Sequence, residues 1–185
     1  MSDVLFGGAF DPPHLGHVAV ADAARERFGA PRLIVLVSER PGHKGVSSPA
    51  AARLELARAA FPGDDIRLDP HARTIDLLRD EPFADPVFVV GADQFCDFLD
   101  WKEPDEVLER VRLAVATRPG FAQERLDGVL GRLRRPDRVV FFDIEPNPAA
   151  SRDVRALAAA GEPLDGLVSP AVATLVERLG LYRPS

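Results

Sequence analysis

The most constraining feature of the sequence is a regular alternation of short apolar runs with longer stretches of helical spacing. Runs typical of strands lie at 4–6, 33–37, 66–68, 87–90, 113–116 and 139–142. Stretches typical of helices lie at 15–28, 48–60, 74–79, 94–99, 105–110, 121–134, 151–160 and 169–179. Continuous apolar runs, rather than alternating ones, are typical of strands buried on both faces of a parallel sheet. The sequence therefore predicts an α/β fold, a doubly wound parallel sheet with helices on both faces, in a single domain over residues 1–185.

Composition limits the partners of such a fold. The formal net charge is -6, which argues against a general affinity for nucleic acid, because that usually needs a basic face. No apolar run approaches the roughly 18 residues of a membrane span, and Met1-Ser2-Asp3 does not resemble a signal peptide. We expect a cytoplasmic protein that binds small molecules, with no nucleic-acid or membrane partner. The oligomeric state stays open, a homo-oligomer included.

The loop after the first strand concentrates residues suited to phosphate. Ligands of doubly wound sheets bind beyond the carboxyl ends of the strands. We expect Gly7 and Gly8 to turn the chain sharply and to approach a ligand closely. His14 and His17 are spaced for one face of a helix that begins there, where free N–H groups favour an anion. Gly16 leaves room for a planar group. A metal site is the alternative, but no third ligand lies at helical spacing.

The same eleven residues carry a family resemblance. The segment from Gly7 to His17 resembles the Gly-Gly-x-Phe-Asp-Pro-x-His-x-Gly-His signature of the nucleotidyltransferase superfamily, the His-x-Gly-His class. The resemblance implies a Rossmann-like nucleotidyltransferase fold in which His14 and His17 hold the triphosphate and stabilise charge as pyrophosphate leaves. The residues of this segment implied to bind ATP are Gly7, Gly8, Ala9, Phe10, His14, Gly16 and His17.

Later segments are similar to those of bacterial nicotinate-nucleotide adenylyltransferases, in the same order along nearly the whole chain. Pro41-Gly42-His43-Lys44 is similar to Pro-Pro-His-Lys, which implies that Lys44 contacts phosphate. The Gly91-Ala92-Asp93 segment implies that Gly91 and Asp93 bind ATP, with Asp93 also suited to hydrated Mg²⁺ through water. The protein itself is expected to supply no direct metal ligand.

Residues implied to bind the acceptor lie in three further segments. Trp101 is expected to stack on the pyridine ring, with Lys102 beside it, and Arg118 lies in a similar Arg-Pro-Gly turn. Ala72-Arg73-Thr74 aligns with Ser-Tyr-Thr, so that Thr74 is retained near the carboxylate of the acceptor. Arg73 replaces the tyrosine, and it either adds positive charge to the subsite or signals a different acceptor.

The last motif departs from the family pattern in two places. Residues 150–155 align with Ser-Ser-Thr-x-Ile-Arg. Ser151 and Arg155 are kept, and both are implied to bind the phosphates of ATP. Ala150 and Arg152 replace a serine and the threonine, which removes two hydroxyl groups and adds a charged donor.

The activity implied by the resemblance is transfer of AMP from ATP, with Mg²⁺, to nicotinate mononucleotide, giving deamido-NAD and pyrophosphate. The residues implied to act in catalysis are His14, His17, Lys44 and Arg155. Other acceptors stay open, namely nicotinamide mononucleotide or phosphopantetheine, and so does CTP as donor. A non-catalytic nucleotide-sensing module is the alternative from another class. A dehydrogenase is disfavoured because the first loop lacks the Gly-x-Gly-x-x-Gly pattern.

Overall fold

The computed structural model describes residues 2–41 and 45–183, and its centre is a sheet of six parallel strands in the order β3-β2-β1-β4-β5-β6. The strands are β1 (Val4–Gly8), β2 (Ile34–Ser38), β3 (Asp65–Asp69), β4 (Val87–Gly91), β5 (Arg112–Thr117) and β6 (Val139–Asp143). The helices are α1 (Leu15–Phe28), α2 (Ala50–Ala60), α3 (Thr74–Asp80), α4 (Ala92–Cys96), α5 (Pro104–Arg110), α6 (Gln123–Leu130), α7 (Ser151–Ala160) and α8 (Pro170–Arg178). Two 3₁₀ turns lie at Phe98–Asp100 and Pro136–Arg138. The predicted fold class is confirmed.

The sheet separates two hydrophobic cores, because successive side chains of a strand point to opposite faces. Along β1, Val4 and Phe6 join the core on one face, together with buried residues of α1, α2, α7 and α8. Leu5 lies between them and joins the core on the other face, with buried residues of α3, α4, α5 and α6. Central strands that supply both cores must be apolar throughout, which explains the continuous runs in the sequence.

The strand order places a crevice between β1 and β4. These two strands run to Gly8 and Gly91, but they are paired only from Val4–Val87 to Phe6–Val89. On its other side, β1 stays paired with β2 as far as Gly8 and Val37. The chain crosses from one half of the sheet to the other at this point, where ligands of doubly wound folds bind.

Three local predictions were wrong in detail. Gly7 and Gly8 do not form a turn, because both remain within β1 and pair with Leu36 and Val37. The chain turns at Phe10 instead, where φ is +50°. The helix predicted at 94–99 is the short α4 followed by a 3₁₀ turn. The helix predicted at 121–134 is α6 alone, since Gly131, a poor helix former, caps it.

Among the residues that the structure describes, no helix is long and apolar enough to cross a membrane.

Candidate active site

The two motif histidines lie side by side at the amino end of α1. His14 is the N-cap residue, with extended backbone at φ -137°, and His17 is the third residue of the helix. Their ring centroids are 3.8 Å apart, with 35° between the ring planes. The prediction that one helical face unites them was close but incomplete, because His14 precedes the helix. A reciprocal capping arrangement brings the rings together instead.

This capping arrangement fixes which ring nitrogens carry protons. Nδ1 of His14 accepts a hydrogen bond from the main-chain N–H of Gly16 at 3.1 Å. Nδ1 of His17 accepts one from the main-chain N–H of His14 at 3.2 Å. A neutral imidazole whose Nδ1 accepts must carry its proton on Nε2. In both rings the proton is therefore carried by Nε2.

Burial keeps the His14 ring neutral. It lowers the pKa of His14 from 6.5 to about 4, and the negative charge of Asp153 opposes this shift only in part. Near neutral pH the His14 ring therefore acts as a hydrogen-bond donor without a charge. Oriented neutral donors at a helix amino end can bind an anion, and the partial positive charge of the helix adds to them.

Glycine is required at two positions near the histidines, because neighbouring side chains leave no room for a Cβ atom there. A Cβ on Gly16 would lie 2.9 Å from Cε1 of His14 and 3.4 Å from the carbonyl oxygen of Ala149. A Cβ on Gly8 would lie 2.9 Å from the ring of Phe10. The space left by the missing Cβ of Gly16 is therefore occupied by the His14 ring. Phe10 is 2% exposed as a whole residue, and it belongs to the core on the α1 side of the sheet.

The amino end of α7 packs against this loop, as the alignment of its motif requires. The hydroxyl of Ser151 donates to the carbonyl oxygen of Pro12 at 2.9 Å. Nη1 of Arg155 donates to the carbonyl oxygen of Asp11 at 2.7 Å. The predicted phosphate ligands His14, His17, Ser151 and Arg155 are therefore brought together. Arg152 is 84% exposed and pairs with its neighbour Asp153.

Predicted acceptor residues gather on the other side of the crevice, around α3 and the segment after the 3₁₀ turn. Nζ of Lys102 donates to the carboxylate of Asp76 at 2.8 Å, and this contact joins the two segments. Trp101 packs at 5.2 Å, centroid to centroid, from Phe98, which is fully buried. Arg73 is the exposed N-cap residue of α3, and Thr74 begins that helix half-buried.

The remaining predicted residues are placed as follows. Gly91 ends β4, and its N–H donates to Oε1 of Gln94 at 3.3 Å. Asp93 lies exposed in the first turn of α4, and Arg118 lies exposed just after β5. Lys44 falls outside the described residues, as do Gly42 and His43.

Sequence reasoning missed a polar network beside the histidines, which we term the Asp11 network: Asp11, Ser47, Ser48, Arg53 and Tyr182. Asp11, Ser48 and Arg53 are buried, Tyr182 is partly buried, and the exposed Ser47 contributes its main-chain N–H. Arg53 is 1% exposed. Its guanidinium donates to the carbonyl oxygens of Ala9 (2.8 Å), Ser38 (2.7 Å), Glu39 (3.2 Å) and Ser48 (3.2 Å).

A weak signal of this role exists in the sequence. Arg53 shares one face of α2 with Leu56, Ala57 and Ala60, all of which are buried. A charged residue at an apolar position of a helix indicates a buried charge with specific partners. Burial lowers the pKa of Arg53, and the negative charge of Asp11 opposes this shift.

No direct metal ligands are evident in the part of the chain described. Within residues 2–41 and 45–183, no three His, Cys, Asp or Glu side chains are grouped so as to hold a metal ion.

A family model and two named relatives are similar to this chain over most of its length. The model of the cytidylyltransferase-like family matches residues 5–157. A protein of Rubrobacter xylanophilus named "Probable nicotinate-nucleotide adenylyltransferase" is 34% identical, over 97% of this chain and 91% of its own length. A protein of Thermus thermophilus with the same name is 33% identical, over 97% of this chain and 98% of its own length.

Solved structures agree on the fold. The nicotinic acid mononucleotide adenylyltransferase of Plasmodium falciparum, complexed with APC, superposes with a TM-score of 0.76 at 16% identity. Its complex with NaAD gives a TM-score of 0.75, and both comparisons cover 98% of each chain.

Proposed function

The chain belongs to the cytidylyltransferase-like family and, within it, to the nicotinate-nucleotide adenylyltransferases, and we propose that it transfers the adenylyl group of ATP to nicotinate mononucleotide. The products are deamido-NAD and pyrophosphate. The reaction is a step of NAD biosynthesis, for which we propose a cytoplasmic location.

One observation carries the proposal: two imidazoles whose Nδ1 atoms accept main-chain hydrogen bonds lie beside Ser151 and Arg155 at the carboxyl end of β1. A triphosphate offers many acceptor oxygens, and the Nε2–H groups of the two histidines and the guanidinium of Arg155 are donors, whereas the hydroxyl hydrogen of Ser151 is donated to Pro12. The arrangement lies at the switch point of the sheet, next to the crevice in which nucleotides of related folds bind.

The reaction needs positioning and charge stabilisation more than proton transfer. A phosphate oxygen of the acceptor attacks the α-phosphorus of ATP, and the bond from that phosphorus to the bridging oxygen breaks. The electron pair leaves with pyrophosphate. Donors at His14 and His17 stabilise the charge that develops on the phosphate oxygens. One N–H of Arg155 is bonded to Asp11, and the guanidinium has further N–H groups for phosphate.

Magnesium enters this reaction as part of the substrate, MgATP. The ion is proposed to bridge phosphate oxygens, with Asp93 as a contact through water. Lys44 is proposed to contact phosphate, on the strength of its motif alone.

The acceptor subsite is proposed to lie between Thr74 and Trp101. Arg73, exposed at the start of α3, would add positive charge for the carboxylate of nicotinate. That charge favours the nicotinate form over the neutral amide of nicotinamide.

The test measures pyrophosphate release from ATP and Mg²⁺ with either nicotinate or nicotinamide mononucleotide. We expect turnover with a large preference for the nicotinate form. Arg155→Ala should lower kcat/KM by about 100-fold, because it removes a charged phosphate donor. Arg178→Ala is the matched control, since Arg178 is 66% exposed on α8, and it should leave turnover unchanged. No turnover with either acceptor would refute the proposal.

A further inference from the structure

The Asp11 network reaches the active site from the far end of the chain. Asp11 is 4% exposed, and its carboxylate accepts hydrogen bonds from three groups. The main-chain N–H of Ser47 lies 2.5 Å away, and the hydroxyl of Ser48 is also bonded. The third donor is the hydroxyl of Tyr182, at 2.9 Å, which lies 171 positions along the chain from Asp11.

Tyr182 is held in a specific conformation for this contact. It follows α8, its φ is +68°, and its ring packs against the core on the α1 side of the sheet. Burial raises the pKa of the Tyr182 hydroxyl above its usual value, so that the group remains a proton donor at any physiological pH. A non-glycine residue in the left-handed region is uncommon and indicates that its surroundings determine the conformation.

Asp11 connects this hydroxyl to the groups that contact phosphate. Its carbonyl oxygen accepts from Arg155, and His14 follows three residues later in the same loop. The neighbouring carbonyl of Ala9 is bonded to Arg53. A displacement of Asp11 would therefore move Arg155 and the histidine pair together.

We propose that Tyr182 is a positioning residue of the active site, whose hydroxyl fixes Asp11 and thereby keeps His14, His17 and Arg155 in their relative places. Without that hydroxyl, the buried carboxylate keeps a lone pair that no donor satisfies, and the loop relaxes to find one. Displacements of about 1 Å in a catalytic loop reduce turnover by up to about 100-fold. The kinetic part of this inference rests on the proposed function.

The decisive variant is Tyr182→Phe, which removes one oxygen atom and keeps the ring. We expect kcat to fall about tenfold, which corresponds to the loss of about one hydrogen bond to a charged group. The KM for the acceptor should stay within about twofold, because the acceptor residues lie on α3 and near Trp101, outside the network.

Asp64→Asn is the matched control for a loss of stability. Asp64 is also a buried carboxylate, with a side chain 2% exposed, and it accepts from the N–H of Leu33 and from Arg25. It lies at the amino ends of β2 and β3, whereas the histidines follow the carboxyl end of β1. This variant should lower the unfolding free energy at least as much as Tyr182→Phe, with kcat unchanged at 25 °C.

A second readout does not depend on turnover. Proton–nitrogen correlation spectra of the histidine rings, assigned with His14→Gln and His17→Gln, report the geometry of the pair directly. Tyr182→Phe should shift the signals of both rings, and Asp64→Asn should not. Unchanged ring signals in Tyr182→Phe would overturn the inference, as would equal losses of kcat in the two variants. An inactive wild-type chain would refute the proposed function instead, and the spectra alone would then decide the role of Tyr182.

Discussion

Gly16→Ala should separate catalysis from stability. The new Cβ would lie 2.9 Å from Cε1 and 3.0 Å from Nδ1 of His14. Carbon atoms in contact prefer about 3.5–4.0 Å, so the ring must move by about 0.5–1 Å. The carbonyl oxygen of Ala149, 3.4 Å from the same Cβ, prevents the helix from moving away instead.

Gly16→Ala should change turnover much more than it changes stability. Alanine is favoured over glycine within a helix by about 0.5–1 kcal/mol. Loss of the hydrogen bond from Gly16 to His14 costs about 1 kcal/mol, which offsets that gain. The unfolding free energy should therefore stay within about 1 kcal/mol of wild type. Turnover should fall about 10- to 100-fold, because the displaced donor no longer meets the phosphate.

Gly128→Ala is the matched control, because Gly128 lies within α6 and a Cβ there meets no atom within 4 Å. It should gain the same helix stabilisation in urea denaturation and leave pyrophosphate release unchanged. If Gly16→Ala keeps more than half of wild-type turnover, the contact between Gly16 and the His14 ring does not determine the active geometry.

Three further predictions follow from the charged and polar groups. The folded-state pKa of His14, about 4, is below its unfolded value of 6.5, so the unfolded chain binds more protons between these values. The unfolding free energy should therefore fall as the pH drops from 6.5 to about 4. In urea titrations across that pH range, a His14→Gln variant should show a smaller decline. Arg53→Met should lower the unfolding free energy by about 3 kcal/mol or more, because it leaves the buried main-chain carbonyls without their donor and Asp11 without a nearby positive charge. Arg178→Met should change the unfolding free energy by less than about 0.5 kcal/mol. Lys102→Met should raise the KM for nicotinate mononucleotide about fivefold and leave the KM for ATP unchanged in steady-state assays, since loss of one exposed charge costs about 1 kcal/mol.

The central strands could be predicted because burial on both faces leaves a distinct trace in the sequence. β2 and β4 are apolar at four successive positions. The edge strand β3 is half-exposed, and only the short segment Ile66-Arg67-Leu68, with a charged residue between two apolar ones, gave a signal. Strand order depends on pairings between distant segments, such as that of Val4 with Val87, and no local pattern encodes them.

The candidate site could be predicted where one short segment carries it. His14 and His17 lie three residues apart, and this spacing predicted that they lie close together, although the capping hydrogen bonds rather than one helical face unite them. The Asp11 network could not be predicted, because Arg53 gains its partners from carbonyl groups at Ala9, Ser38 and Ser48, which meet only in the folded chain. The spacing of these residues along the sequence does not predict that they come into contact.

The separation of the two cores by the sheet has a consequence for how the two halves of the proposed site respond to mutation. Phe10 and Val154 belong to the core on the side of the histidine loop, and Ile75 and Phe98 belong to the core on the side proposed for the acceptor. Mutations that remodel the acceptor half need not disturb the packing that holds the histidines. The two halves of the proposed site can therefore be altered independently of each other. Arg73, exposed at the start of α3, lies on the side proposed for the acceptor.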